Sequence, residues 1–181
     1  MASGPSERQP PAFHIGRRRL ESKPRRRRFH LRAPLAPVRS PVLNPAVSDF
    51  ALDPALAASS LAVASLPLCD VRLIDDARFP WLLLVPRRSD AVEIVDLAKA
   101  DRALLFEEIT AASAALRAAT GCEKLNVGAL GNHVRQLHVH VVARFAADVA
   151  WPEPVWGSGA AEPYATADRE RLIAALRRQL R

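Results

Sequence analysis

Cysteine is nearly absent from this chain of 181 residues, with only Cys69 and Cys122. Two thiols are too few for a disulfide framework or a thiolate zinc site, and they read as reduced, small core residues. Long apolar runs are also missing. None approaches the roughly 20 residues that a membrane span requires, and the N-terminus has no apolar stretch like the core of a secretory signal. These absences predict a cytoplasmic protein without a membrane partner. Methionine occurs once, at position 1, so a shorter product would need a non-standard start near Val42 or Val47. Acidic residues are scarce in one region only. Residues 1–46 hold 11 Lys/Arg against 2 Asp/Glu, whereas the remainder holds 15 against 17. The formal net charge of +7 therefore comes from the leader, and a nucleic-acid reading does not extend to the rest.

That leader also holds eight of the fifteen prolines and the runs Arg17-Arg18-Arg19 and Arg25-Arg26-Arg27-Arg28. Such a composition buries too little apolar surface to offset the entropy of ordering, so residues 1–46 are expected to be a disordered arm. One reading makes it a basic arm that binds nucleic acid or acidic surfaces non-specifically. The other, which is preferred, makes it an extension without a role. Residues 47–181 then form one domain, and 49% apolar content in the whole chain is enough for a core.

Within that domain, Asp53-Pro54 opens a helix that is expected to run through Ala64, since Asp caps helices and Pro favours their first position. Leu68 to Ile74 alternates as a strand. Asp75 to Pro80 is a turn, and Trp81 to Val85 is an apolar strand forming a hairpin with it. Residues 97–120 carry the stripe Leu105, Ile109, Ala112, Leu116 and Ala119 of an amphipathic helix, and Gly121 stops it. Lys124 to Leu130 reads as a strand and Thr166 to Arg181 as a closing helix. Trp151-Pro152-Glu153-Pro154-Val155-Trp156-Gly157 reads as irregular chain packed on a sheet, in preference to a lid over a site. This element order favours an α+β fold with helices on an antiparallel sheet.

The chemistry is concentrated after Gly131-Asn132. Alternation along a strand places Gln136, His138, His140 and Val142 on one face and Leu137, Val139, Val141 and Ala143 on the other. Two of the five histidines of the chain thus point the same way from a rigid element. A Gly-Asn turn before them is a natural place for backbone amides to meet an anion.

Gln136-Leu137-His138-Val139-His140-Val141-Val142 resembles the signature of the histidine-triad (HIT) nucleotide hydrolases and transferases, His-φ-His-φ-His-φ-φ with φ apolar. Gln136 stands where the first histidine belongs. Leu73 to Trp81, Lys124 to Val127 and Ala150 to Gly157 resemble a bacterial branch of the same family, and the likeness spans roughly residues 60–160. The resemblance implies a HIT-like fold with a sheet of about five strands, commonly a homodimer whose sheets join. It implies that His138 attacks the α-phosphorus of a nucleoside polyphosphate or phosphoramidate. His140 would then bind a phosphate oxygen or assist the leaving group, with Gln136 donating an amide hydrogen bond or orienting a ring. Asn132 and His133 would meet phosphate, and Asn126 would lie beside the histidine row. Asp75 or Asp76, with Asp75 preferred, would accept the ribose hydroxyls. Trp81 stands near the place of a further family histidine. No tightly bound cofactor is implied, although Mg²⁺ can accompany a polyphosphate.

Two rivals remain open at this stage. A non-catalytic nucleotide-binding module is motivated by Gln136. A His-x-His metal enzyme would need a third ligand from Gln136, His133 or a distant carboxylate. Removal of residues 1–46 is expected to leave turnover unchanged in a steady-state assay, and a large fall in kcat would refute that.

Overall fold

The computed structural model describes residues 50–181, so the basic arm at 1–46 lies outside the described residues. Asp53 caps the first helix, its side chain accepting from the Ala55 N–H at 2.8 Å, and Pro54 takes the first helical position. This helix, α1 (Pro54–Ala58), is short. Its expected continuation to Ala64 is corrected, because Ser60–Ser65 forms strand β1. Alanine favours a helix locally, but the antiparallel ladder with β2 (Cys69–Ile74) overrides that preference. β3 (Trp81–Pro86) follows the Asp75–Pro80 turn and pairs antiparallel with β2. A single 3-10 turn (Ile94–Asp96) precedes α2 (Lys99–Thr120), and Gly121, at φ 66°, ends that helix in the left-handed conformation that glycine adopts without strain. β4 (Lys124–Gly128) and β5 (Val139–Arg144) are antiparallel, and α3 (Thr166–Gln179) closes the chain.

The strands form one sheet in the order β1-β2-β3-β5-β4, so the fold is α+β with a five-stranded antiparallel sheet and helices, as expected. Strand parity divides its residues between two faces. Val71, Leu73, Leu82, Leu84, Val139, Val141 and Ala143 join Leu105, Ile109, Ala112 and Leu116 of α2 and Leu176 of α3 in the main core. Each fully buried leucine of this kind contributes about 1.5–3 kcal/mol. The opposite face is covered in two patches. Leu83 and Val85 pack with Leu56 of α1, and Val142 packs with Phe79 and Val155. The histidine-bearing face lies between these patches.

The outermost strand β1 is protected as edge strands commonly are. A bulge interrupts its ladder between Ala62 and Ala64, and Arg177 of α3 donates to the carbonyls of Val63 (2.8 Å) and Ala62 (3.2 Å). A buried carboxylate ties α2 to the start of β2. Glu108 accepts from the backbone N–H groups of Leu68 (2.7 Å) and Cys69 (2.8 Å). Glu108→Ala strands both donors and is expected to lower the unfolding free energy by roughly 3 kcal/mol. Urea denaturation reads that loss, and an unchanged midpoint would show that water replaces the carboxylate.

Candidate active site

The motif strand begins later than its alternation suggests. β5 starts at Val139, and residues 131–138 form the approach to it. His138 and His140 nevertheless share one face and are both buried, at 6% and 8% exposure, rather than forming a polar surface row. Their rings stand edge to face with centroids 4.8 Å apart. They border a cleft of about 580 Å³.

Each imidazole is oriented by one partner. His138 Nδ1 lies 2.7 Å from the Gln136 carbonyl. A carbonyl can only accept, so Nδ1 carries the hydrogen and Nε2 is left with a free lone pair. His140 has the opposite arrangement. The Trp81 indole N–H donates to its Nδ1 at 2.9 Å, which places the ring hydrogen of the neutral form on Nε2. Burial, reinforced by the neighbouring His138, lowers the His140 pKa from 6.5 to about 4. One ring therefore offers a nucleophile and the next offers a neutral N–H donor.

β3 supplies Trp81 by register, since Trp81 pairs with Val142 and Leu83 with His140. Trp156 closes the other side, its ring 5.7 Å from His140 and 5.9 Å from Trp81, both edge to face. The segment expected to pack on the sheet does so through Val155, and it also walls the cleft through Trp156. Leu56, Ile74, Leu83 and Val134 supply further apolar lining that periodicity alone did not single out.

The remaining expected site residues divide. Gly131, Asn132 and His133 line the cleft, and Gly131 has the positive φ of 64° that such a turn assigns to glycine. Gln136 does not line it. Its Oε1 accepts from the Asp53 N–H at 2.9 Å and its Nε2 donates to the Ala51 carbonyl at 2.8 Å, so the side chain clasps the chain leading into α1. Only its backbone serves the histidine row. Asn126 is also absent from the lining, because its Oδ1 accepts from Arg144 Nη1 at 2.7 Å. Asp75 is used structurally, its Oδ1 accepting from the Tyr164 N–H at 3.0 Å. Asp76 borders the cleft and is buried. Burial raises its pKa, but the bidentate Arg78 guanidinium and the N–H groups of Glu162 and Arg78 outweigh this and hold the carboxyl below its ordinary value.

The far end of the same face is occupied by Arg144, which is 1% exposed. It holds Asp148 through two hydrogen bonds (2.7 and 3.0 Å), donates to the Glu153 carbonyl and lies over the Trp151 ring at 5.6 Å. Among the described residues, no group of three or more His, Cys, Asp or Glu side chains is placed to hold a metal ion. No helix among them is long and apolar enough to cross a membrane.

A protein-family model described as the HIT domain matches residues 56–147. The chain is similar to the solved structure of a histidine triad protein from Bradyrhizobium japonicum, with 47% identity and a TM-score of 0.72, covering 73% of this chain and 98% of that one. A histidine triad protein from Sinorhizobium meliloti gives 46% identity and a TM-score of 0.71 over the same shares of 73% and 98%. One from Marinobacter aquaeolei gives 40% and 0.70, covering 72% of this chain and 96% of that one. No curated protein is matched.

The buried, neutral His140 has a consequence for stability. Its folded pKa of about 4 lies below the ordinary 6.5, so the unfolded chain binds the proton more readily between those values. This contribution is complete above pH 6.5 and is lost as the pH falls to about 4. Wild-type unfolding free energy is expected to fall more steeply across that window than that of His140→Gln. A histidine NMR titration with His140 protonating near its ordinary value would contradict it.

Proposed function

This chain belongs to the HIT domain family, and from that premise we propose that it is a nucleotide hydrolase acting at the α-phosphate of a nucleoside polyphosphate or phosphoramidate. The reaction passes through a covalent nucleotidyl-histidine. The observation that carries this reading is the His138 Nδ1 contact with the Gln136 carbonyl, because it leaves Nε2 as a lone pair at the cleft. In the first step Nε2 attacks phosphorus, and the bond to the leaving group breaks with its electron pair departing on that group. The ring then carries phosphorus on Nε2 and hydrogen on Nδ1, and the Gln136 carbonyl steadies the resulting positive charge. In the second step water attacks phosphorus, the P–N bond returns its pair to Nε2, and the nucleoside monophosphate leaves with a proton released to solvent. Dividing one displacement in this way lowers the barrier to each part.

His140, with its hydrogen on Nε2, donates to a phosphate oxygen as charge develops there. Asn132 and His133 take the phosphate at the mouth of the cleft, and the Asp75–Asp76 turn takes the ribose hydroxyls. Leu56, Ile74, Leu83 and Val134 offer the base an apolar wall. A homodimer joined through the sheet would use β4, the end strand opposite β1, where Val127 is 50% exposed.

His138→Ala is expected to reduce turnover by several orders of magnitude while nucleotide binding is largely kept. Wild-type enzyme quenched in alkali, where a phosphorus–nitrogen bond to imidazole survives, should carry a nucleotide on His138, and His140→Ala should be the milder variant. Near-normal turnover by His138→Ala would remove the mechanism. Nucleotide binding without labelling or turnover in the wild type would leave a binding module.

A further inference from the structure

We propose that this site is specialised for leaving groups that depart as stable anions, the phosphates of nucleoside polyphosphates, and disfavours amines, because Trp81 fixes His140 as a donor that cannot surrender its proton. The inference rests on the nucleotidyl-histidine reading above and narrows its substrate class. An indole N–H donates and never accepts, so the 2.9 Å contact admits one neutral tautomer of His140, with hydrogen on Nε2. Giving up that hydrogen would leave an imidazolate anion, which no neutral-pH reaction reaches. Protonating Nδ1 to make an imidazolium would require the Trp81 N–H to move away. The ring has little room for this, since it sits against Trp81 at 5.2 Å, Trp156 at 5.7 Å and His138 at 4.8 Å.

The other groups bordering the cleft supply no better acid within the row. Gln136 lies outside the cleft, and its amide, which is not an acid at any ordinary pH, is committed to residues 51 and 53. The remaining hydrogen of His138 faces the Gln136 carbonyl. Arg78 keeps its proton at any ordinary pH, and Asp76 is held as the carboxylate against it. His133 is the one other titratable imidazole at the cleft, and it stands exposed on the preceding turn.

The two candidate bonds make different demands. When the P–O bond of an anhydride breaks, the pair stays on a phosphate oxygen and the product is a stable anion. When the P–N bond of a phosphoramidate breaks, the pair lands on nitrogen, and an amine forms only if a proton arrives with it. A hydrogen bond from a neutral imidazole helps the first and does not satisfy the second. Trp81 is thus a positioning residue acting through His140, and it selects between substrates without touching the reacting atoms.

The test uses the full chain and two substrates that share adenosine monophosphate, a dinucleoside polyphosphate and an alkyl phosphoramidate. General-acid assistance is worth roughly 100-fold or more, so kcat/KM should favour the anhydride by at least about that factor. Equal rates, or a preference for the amine that vanishes in His133→Gln, would overturn the specialisation while leaving the nucleotidyl-histidine intact. Turnover of neither substrate, with no label on His138, would overturn both. Nitrogen-15 NMR of the wild type should show His140 with a bare Nδ1 and a protonated Nε2. Trp81→Phe, which keeps a ring but removes the N–H, should lose that signature and narrow the anhydride-to-amine ratio several-fold. A hydrogen on His140 Nδ1 in the wild type overturns the proposal even if the variant does not fold.

Discussion

The register of β5 against β3 is the constraint on which the cleft depends. With Leu83 opposite His140 and Trp81 opposite Val142, both imidazoles, Trp81 and Val142 face one way, and Val139, Val141 and Ala143 enter the core under α2. A slip of one residue would push two imidazoles into hydrocarbon and bring valines to the cleft. The register is well specified because both faces of β5 are buried along its whole length. A strand with one solvated face would tolerate the error more easily. Here the same packing that stabilises the sheet also aims both imidazoles at the cleft.

Arg144 extends this logic beyond the histidines. It sits two steps further along the same face, and its buried guanidinium finds acceptors on Asp148, Asn126 and Glu153. Arg144 hydrogen bonding in turn holds the Asp148 carboxyl below its ordinary pKa, against the opposing effect of burial. A buried ion pair of this kind adds little net stability, but it fixes geometry. What it fixes is the start of the segment that brings Val155 and Trp156 over the sheet. Asn126, expected beside the histidine row, is drawn into this network, so one basic side chain both holds a polar group away from the cleft and fixes the segment that walls it.

Much of the arrangement was legible in the residue order. Periodicity located α2, α3, the hairpin of β2 and β3, and the motif strand, because each carries a long or cleanly alternating apolar pattern. The helix at Pro54 stops short of its expected end because β1 is an alanine-rich edge strand whose identity comes from its partner rather than its own sequence. In the site, His138 and His140 were visible as a spaced pair. The redirection of Gln136 and Asn126 was not, because both depend on partners 83 and 18 residues away. Trp81 stood out only as an oddity of position. Its contact with His140 spans 59 residues and follows from a strand register that no local pattern encodes.

The aromatic wall has one last implication, for observation rather than chemistry. The chain has three tryptophans, and Trp81 and Trp156 both border the cleft. A molecule entering there changes the surroundings of two of the three fluorophores at once, and one of them is hydrogen-bonded to His140. The protein therefore carries its own optical reporter of occupancy, usable without a label.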